Sequence, residues 1–180
     1  MKIIALGAST SSRSINRQFA TFAAQQLTPE PTILRLEDYE LPVFSVDLEE
    51  RLGIPQPAKD FLAQLDQADL VIISFAEHNG SYAAAFKNLL DWASRSRAKT
   101  FLGTKMLLLA TSPGSRGGAT VLHAAIETFP HLGAHILGSF SLPSFGQNFA
   151  PGDGILHPEH RAQFHRVLDG VQELVLSSVS

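Results

Sequence analysis

Cysteine is absent from all 180 residues, which excludes disulfide frameworks, thiolate nucleophiles, Cys-ligated metals and iron–sulfur clusters. Any redox chemistry must therefore come from an organic cofactor. Charge is also sparse: 17% of residues are charged, 14 basic against 17 acidic, for a formal net charge of −3. Lys and Arg form no cluster, so the electrostatic footprint of a nucleic-acid partner is missing. No apolar stretch is long enough to cross a bilayer, and Met1-Lys2-Ile3-Ile4-Ala5-Leu6-Gly7 is too short for a signal-peptide core. A cytoplasmic protein without a membrane partner is expected. There is no Gly-x-Ser-x-Gly elbow of a hydrolase and no Gly-Lys-Ser/Thr ending of a nucleotide triphosphatase loop. The histidines include His131 and His135, then His157, His160 and His165. Their spacings match no recurrent ligand pattern and no carboxylate cluster completes a site, so no metal is expected.

At 44% hydrophobic, the chain can bury a core as one domain spanning 1–180. Five apolar runs read as strands: Lys2–Leu6, Thr32–Leu36, Asp69–Phe75, Thr104–Ala110 and Ala134–Ser139. Helical spacing separates them, with Ile15, Phe19, Phe22 and Ala23 in the first helix and Phe61, Leu62 and Leu65 in the second. Phe86, Leu89, Leu90 and Ala93 mark the third, and Leu122, Ala125, Ile126 and Phe129 the fourth. Phe164, Val167, Leu168, Val171 and Leu174 mark the last. Strands alternating with helices predict an α/β fold with a parallel sheet covered on both faces. Two Pro-rich stretches, 37–57 and 140–154, read as irregular surface segments.

Ligands of such folds sit at the carboxyl ends of the strands. There the loops after strands one, three and four are the polar ones. Gly7-Ala8-Ser9-Thr10-Ser11-Ser12-Arg13-Ser14-Ile15-Asn16 packs four Ser, one Thr and one Arg against a helix start, where free N–H groups and the helix dipole favour a phosphate monoester. The alternative is an ordinary Ser-rich turn capped by Ser14. Ala76-Glu77-His78-Asn79-Gly80 offers a carboxylate, an imidazole and an amide beside a flexible Gly, or else only the turn geometry of Asn-Gly. In Ser112-Pro113-Gly114-Ser115-Arg116-Gly117-Gly118, the glycines would let backbone approach a planar ligand, while Arg116 either binds an anion or faces solvent. Trp92 and the trio Phe140, Phe145 and Phe149 read as core or as oligomer contacts.

Taken together these loops resemble the NAD(P)H-dependent FMN reductase family of flavodoxin-like proteins, from Lys2 to roughly Phe149. The resemblance is carried by Gly7-Ala8-Ser9 with Ser14-Ile15-Asn16, by Glu77-x-Asn79-Gly80-Ser81-Tyr82 running into Lys87-Asn88-x-x-Asp91-Trp92, and by Ser112 to Gly118. It implies a flavodoxin-like three-layer sandwich with a five-stranded parallel sheet in the order 2-1-3-4-5. FMN would bind with its phosphate at Ser9, Ser11, Ser12, Arg13, Ser14 and Asn16. The ring edge would lie at Ala76, Glu77, His78, Asn79 and Gly80, with Ser112, Gly114, Arg116 and Gly117 flanking the ring. NADPH or NADH would donate a hydride, and electrons would pass to free flavin, quinones, azo dyes or metal oxyanions. No side chain need act as a catalytic acid or base. The competing implication is a flavodoxin-like electron carrier or FMN-binding sensor without dinucleotide activity. The resemblance further implies a homodimer or homotetramer.

Two departures stand out. Much of the family places Arg where this chain has Ser11, and the loop Arg here is Arg13. A common Pro-Glu-Tyr-Asn reads Ala76-Glu77-His78-Asn79, which removes a Tyr near the flavin and bears on the choice of electron acceptor.

Overall fold

A computed structural model describes residues 1–177. Its sheet is built from β1 (Ile3–Ala8), β2 (Thr32–Arg35), β3 (Leu70–Phe75), β4 (Lys105–Thr111) and β5 (His135–Leu142). All pairings are parallel and the spatial order is β2-β1-β3-β4-β5. This is the expected flavodoxin-like order. Every residue of β1 and β3 is buried, because side chains alternate between two covered faces.

That alternation divides the interior in two. Ile4, Leu6, Val71, Ile73, Met106 and Leu108 face one core, together with α3 (Gln56–Leu65), α4 (Ala84–Ser96) and α5 (Ala119–Thr128). Ile3, Ala5, Leu70, Ile72, Leu107 and Leu109 face the other, together with α1 (Ile15–Gln25) and α6 (Pro158–Leu176). Three layers result, with the sheet in the middle. Gly7 is required at the first crossover, since a Cβ there would lie 2.3 Å from the Arg17 backbone nitrogen of α1.

Both stretches expected to be irregular carry structure. Segment 37–57 contains α2 (Val46–Leu52), whose Ser45 hydroxyl accepts from Leu48 N–H at 3.1 Å and whose Gly53 closes the helix at φ +68°. None of its residues is buried, so no apolar stripe marks it. Before it, residues 41–44 are pinned by α4: Trp92 Nε1 donates to Pro42 O at 2.8 Å, and Asn88 Oδ1 accepts from Phe44 N–H at 2.9 Å.

In segment 140–154, Phe140–Leu142 extends β5, a helical turn occupies Phe145–Asn148, and Phe149–Ala150 pairs with Gly154–Ile155. Phe140, Phe145 and Phe149 are buried in the second core, and Trp92 is fully buried. These aromatics pack within the chain, as the core reading of them expects.

Candidate functional site

The first, second and third polar loops leave the carboxyl ends of β1, β3 and β4, which are adjacent in the sheet. They line one cavity of about 360 Å³, formed by Ser9, Ser11, Arg13, Ser14, Ile15, Asn16, Ala76, Glu77, His78, Thr111, Ser112 and Pro113. Of these, Ile15, Thr111 and Pro113 were not among the expected FMN contacts. Thr111 carried a usable signal, being a polar residue that follows the apolar run Met106–Ala110.

The first loop holds its own hydroxyls in place. Ser9 Oγ accepts from Ser11 N–H at 3.3 Å, Ser11 Oγ from Arg13 N–H at 3.2 Å, and Ser14 Oγ from Arg17 N–H at 3.1 Å. Each hydroxyl thus receives a backbone proton and keeps its own O–H to donate. Ile15 and Asn16 open α1, so their N–H groups have no acceptor within the helix. The Arg13 guanidinium forms none of the ion pairs of the described residues. Hydroxyl donors, free amides, a helix N-terminus and an unneutralised Arg are a donor set whose chemistry suits an anion.

Ser12 points the loop the other way. Its carbonyl accepts from Arg17 Nη2 at 2.5 Å, and it lines a separate cavity on the far side of α1. Arg17 also donates from Nη1 to Glu37 Oε1 at 2.8 Å, tying the loop to the end of β2. Sequence reasoning missed Arg17, whose place in a helical run gives no cue to this role. Burial pushes the Glu37 carboxyl up, but hydrogen bonds from its own backbone N–H, Arg35 and Arg17 outweigh that and hold it below its ordinary range.

Asn16 is a buried joint rather than a rim group. It is 3% exposed, donates from Nδ2 to Thr111 O at 3.1 Å, and accepts at Oδ1 from Thr111 N–H at 3.1 Å and Ser74 Oγ at 2.7 Å. Its amide thereby locks α1 to the ends of β3 and β4 as a neighbouring strand would.

In the second loop, Glu77–His78 pairs antiparallel with Ser81–Tyr82. Asn79 at φ +53° and Gly80 at φ +74° make the two-residue turn, which is the left-handed pair that Asn-Gly favours. The tip therefore stands outside the cavity. Glu77 Oε2 accepts from Val121 N–H at 3.0 Å and caps α5, whose own N-cap residue, Gly118, has no side chain to do so. His78 remains exposed on the rim. Burial raises the Tyr82 phenol above its ordinary value despite a hydrogen bond with Thr128, so it stays neutral.

The third loop is bound to the end of β5. Gly114 O accepts from Ser144 N–H at 2.9 Å, and Gly117 O accepts from Ser141 Oγ at 3.0 Å. At Gly117, φ is +60° and a Cβ would come within 2.9 Å of the Leu142 carbonyl carbon, so glycine is needed there for packing. Arg116 turns away from the cavity rim and donates from Nη2 to Thr120 Oγ1 at 2.6 Å. Ser12, Asn79, Gly80, Gly114, Arg116 and Gly117 thus lie outside the cavity wall. Ser9, Ser11, Arg13, Ser14, Asn16, Ala76, Glu77, His78 and Ser112 are brought together on it.

The model of the NADPH-dependent FMN reductase family matches residues 1–147. The chain belongs to this family. An NAD(P)H-dependent FMN reductase from Pseudomonas aeruginosa is 30% identical over 138 residues, covering 76% of this chain and 74% of that protein. A quinone reductase from Escherichia coli is 32% identical over 98 residues, covering 54% and 52%. Among solved structures, the flavoenzyme NAD(P)H:(acceptor) oxidoreductase FerB from Paracoccus denitrificans superposes with a TM-score of 0.75 at 21% identity, over 98% of each chain. That likeness supports the fold.

FMN reductases of this family use FMN with a nicotinamide donor, and the donor set here suits that group. Three oriented hydroxyls, the free amides of α1 and unpaired Arg13 match a phosphate dianion. Ala76, Glu77 and the exposed His78 border the cavity on the rim. Among the described residues no three His, Asp or Glu side chains are grouped so as to hold a metal ion, and no helix is long and apolar enough to cross a membrane.

Proposed function

We propose that this chain is an FMN-dependent reductase that takes a hydride from NADPH or NADH and delivers electrons to a quinone-type acceptor. The observation that carries this reading is the convergence of three loops on one cavity whose first wall is a preformed anion cradle. Ser9, Ser11, Arg13 and Ser14 would hold the phosphate. Backbone groups of Ala76, Glu77 and His78 would orient the ring edge, and Ser112 and Pro113 would border it. FMN, when bound, supplies the two-electron chemistry, accepting a hydride and returning electrons. The protein's work is to position the donor and acceptor, so no side chain acts as acid or base. The quinone acceptor is supported by the Escherichia coli relative. Two copies would associate through segment 43–52, where Val43, Val46 and Leu52 are exposed at 84%, 57% and 58%.

The test is the visible spectrum of the purified protein, followed by anaerobic titration with NADPH or NADH and then with benzoquinone. A flavin band that bleaches with the dinucleotide and returns with the quinone supports the proposal. A colourless protein that binds no added FMN refutes it, and a yellow protein that neither dinucleotide bleaches is an electron carrier or sensor instead.

A further inference from the structure

A larger cavity, about 750 Å³, opens between α1, the edge strand β2 and residues 149–152. Its size lies within the range of small-molecule sites. One side is apolar, formed by Phe22, Ile33 and Phe149. The Phe22 ring meets Phe149 edge-on with centroids 5.3 Å apart and packs against Phe164 at 5.7 Å. Gly154 approaches the same ring so closely that a Cβ there would lie 2.4 Å from its Cε2 atom. Held on these sides, the ring forms a fixed floor rather than a flexible plug.

The polar end carries unbalanced charge. Arg17 Nη1, Arg35 Nε and Arg35 Nη2 all converge on one oxygen, Glu37 Oε1, at 2.8, 3.0 and 2.9 Å. Two guanidinium groups thus share one carboxylate, leaving a surplus of one positive charge, and Arg35 is still 57% exposed. Both Arg residues line the cavity and Glu37 does not. A guanidinium retains further N–H donors for a second anion. A rigid apolar floor that ends in an underneutralised pair of guanidinium groups is complementary to a flat apolar body bearing one anionic head.

We propose that this cavity is a second ligand site, separate from the flavin cleft, for an aromatic monocarboxylate. The ring system would lie on Phe22, Ile33 and Phe149, and the carboxylate would be received by Arg35 and Arg17. The site sits back to back with the phosphate loop, since the Ser12 segment forms a wall of this cavity while Ser11 and Arg13 face the other.

The probe is 2-naphthoate, titrated calorimetrically into the protein as purified, with the neutral 2-naphthalenemethanol as its control. One equivalent of naphthoate should bind, about tenfold more tightly than the alcohol, the scale of a charge-assisted hydrogen bond. Arg35→Gln should weaken naphthoate by about the same factor and leave the alcohol unchanged. Thr21→Trp, which fills the cavity from α1, should abolish binding of both while the flavin content stays as in the wild type. Equal affinity for acid and alcohol overturns the proposal, as does naphthoate binding undiminished in Thr21→Trp, which would place the probe in the flavin cleft. Absence of binding up to about 1 mM also overturns it.

Discussion

Replacing Asn16 by Ala deletes the joint that holds the three site loops in register. Three hydrogen bonds disappear, each contributing about 0.5–1.5 kcal/mol net. Three buried partners are also left behind: the Thr111 N–H, the Thr111 carbonyl and the Ser74 hydroxyl, on residues 1% and 0% exposed. The hydroxyl can rotate toward another acceptor, whereas the two backbone groups are fixed by β4. Unsatisfied groups of this kind cost about 1–3 kcal/mol apiece, so the two fixed groups together should cost about 2–6 kcal/mol. That is a large share of the roughly 5–15 kcal/mol typical of a folded domain. Urea unfolding at fixed FMN should show a lowered midpoint with an unchanged slope. A loss below about 1 kcal/mol would refute the role assigned to Asn16.

Asn16→Asp sharpens the same test through pH. An ionised carboxylate at this position can accept from Ser74 and Thr111 N–H but faces the Thr111 carbonyl, where Asn16 donates. With burial and that carbonyl outweighing the two donors and the positive end of α1, the carboxyl is expected above its unfolded value of about 3.9. A raised acid binds its proton more tightly in the folded state, so stability falls as pH rises from about 4 through the raised value, then levels off. The stability difference between Asn16→Asp and Asn16→Ala should therefore favour the Asp variant in acid and shrink toward neutrality. A pH-independent difference would sink the hydrogen-bond assignment.

Two further outcomes test the first loop and its anchor. Ser14→Ala should cost about 1 kcal/mol of stability through the lost N-cap and weaken FMN more than riboflavin, which lacks the phosphate; equal weakening in equilibrium titrations would remove Ser14 from phosphate binding. Glu37, held below its ordinary range, contributes stability that is present above the unfolded value of about 4.3 and is lost as pH falls through its lower folded value, so the wild-type advantage over Glu37→Gln in urea midpoints should be constant near neutrality and decline in acid; an advantage that grows in acid contradicts the sign.

Much of the fold was legible because burial on two faces leaves a strong local trace. Ile3–Ala8 is an unbroken apolar run and Leu70–Phe75 is apolar except for Ser74, since alternate residues enter different cores, and the Asn79-Gly80 pair announced its turn through the φ angles it tolerates. Helix α2 was illegible for the converse reason: it buries nothing, so only the Ser45 cap and Gly53 could have marked it. Within the candidate site, the sequence could not assign sides. Ser9, Ser11 and Ser14 turn to one cavity and Ser12 to another, although composition treats the four alike. Asn16 did carry a signal, because it shares the buried stripe of α1 with Phe19, Ala20, Ala23 and Ala24. A polar residue on an apolar stripe must find partners inside the protein, which argues for a joint before it argues for a ligand. The second cavity had no such signal. Gln18, Thr21 and Gln25 recur at helical spacing as a polar face, the pattern of a helix side turned to water. What makes that face concave is the segment Phe149–Gly152, brought over it from more than a hundred residues away. Concavity of that origin belongs to the tertiary fold, and no sequence window around α1 contains it.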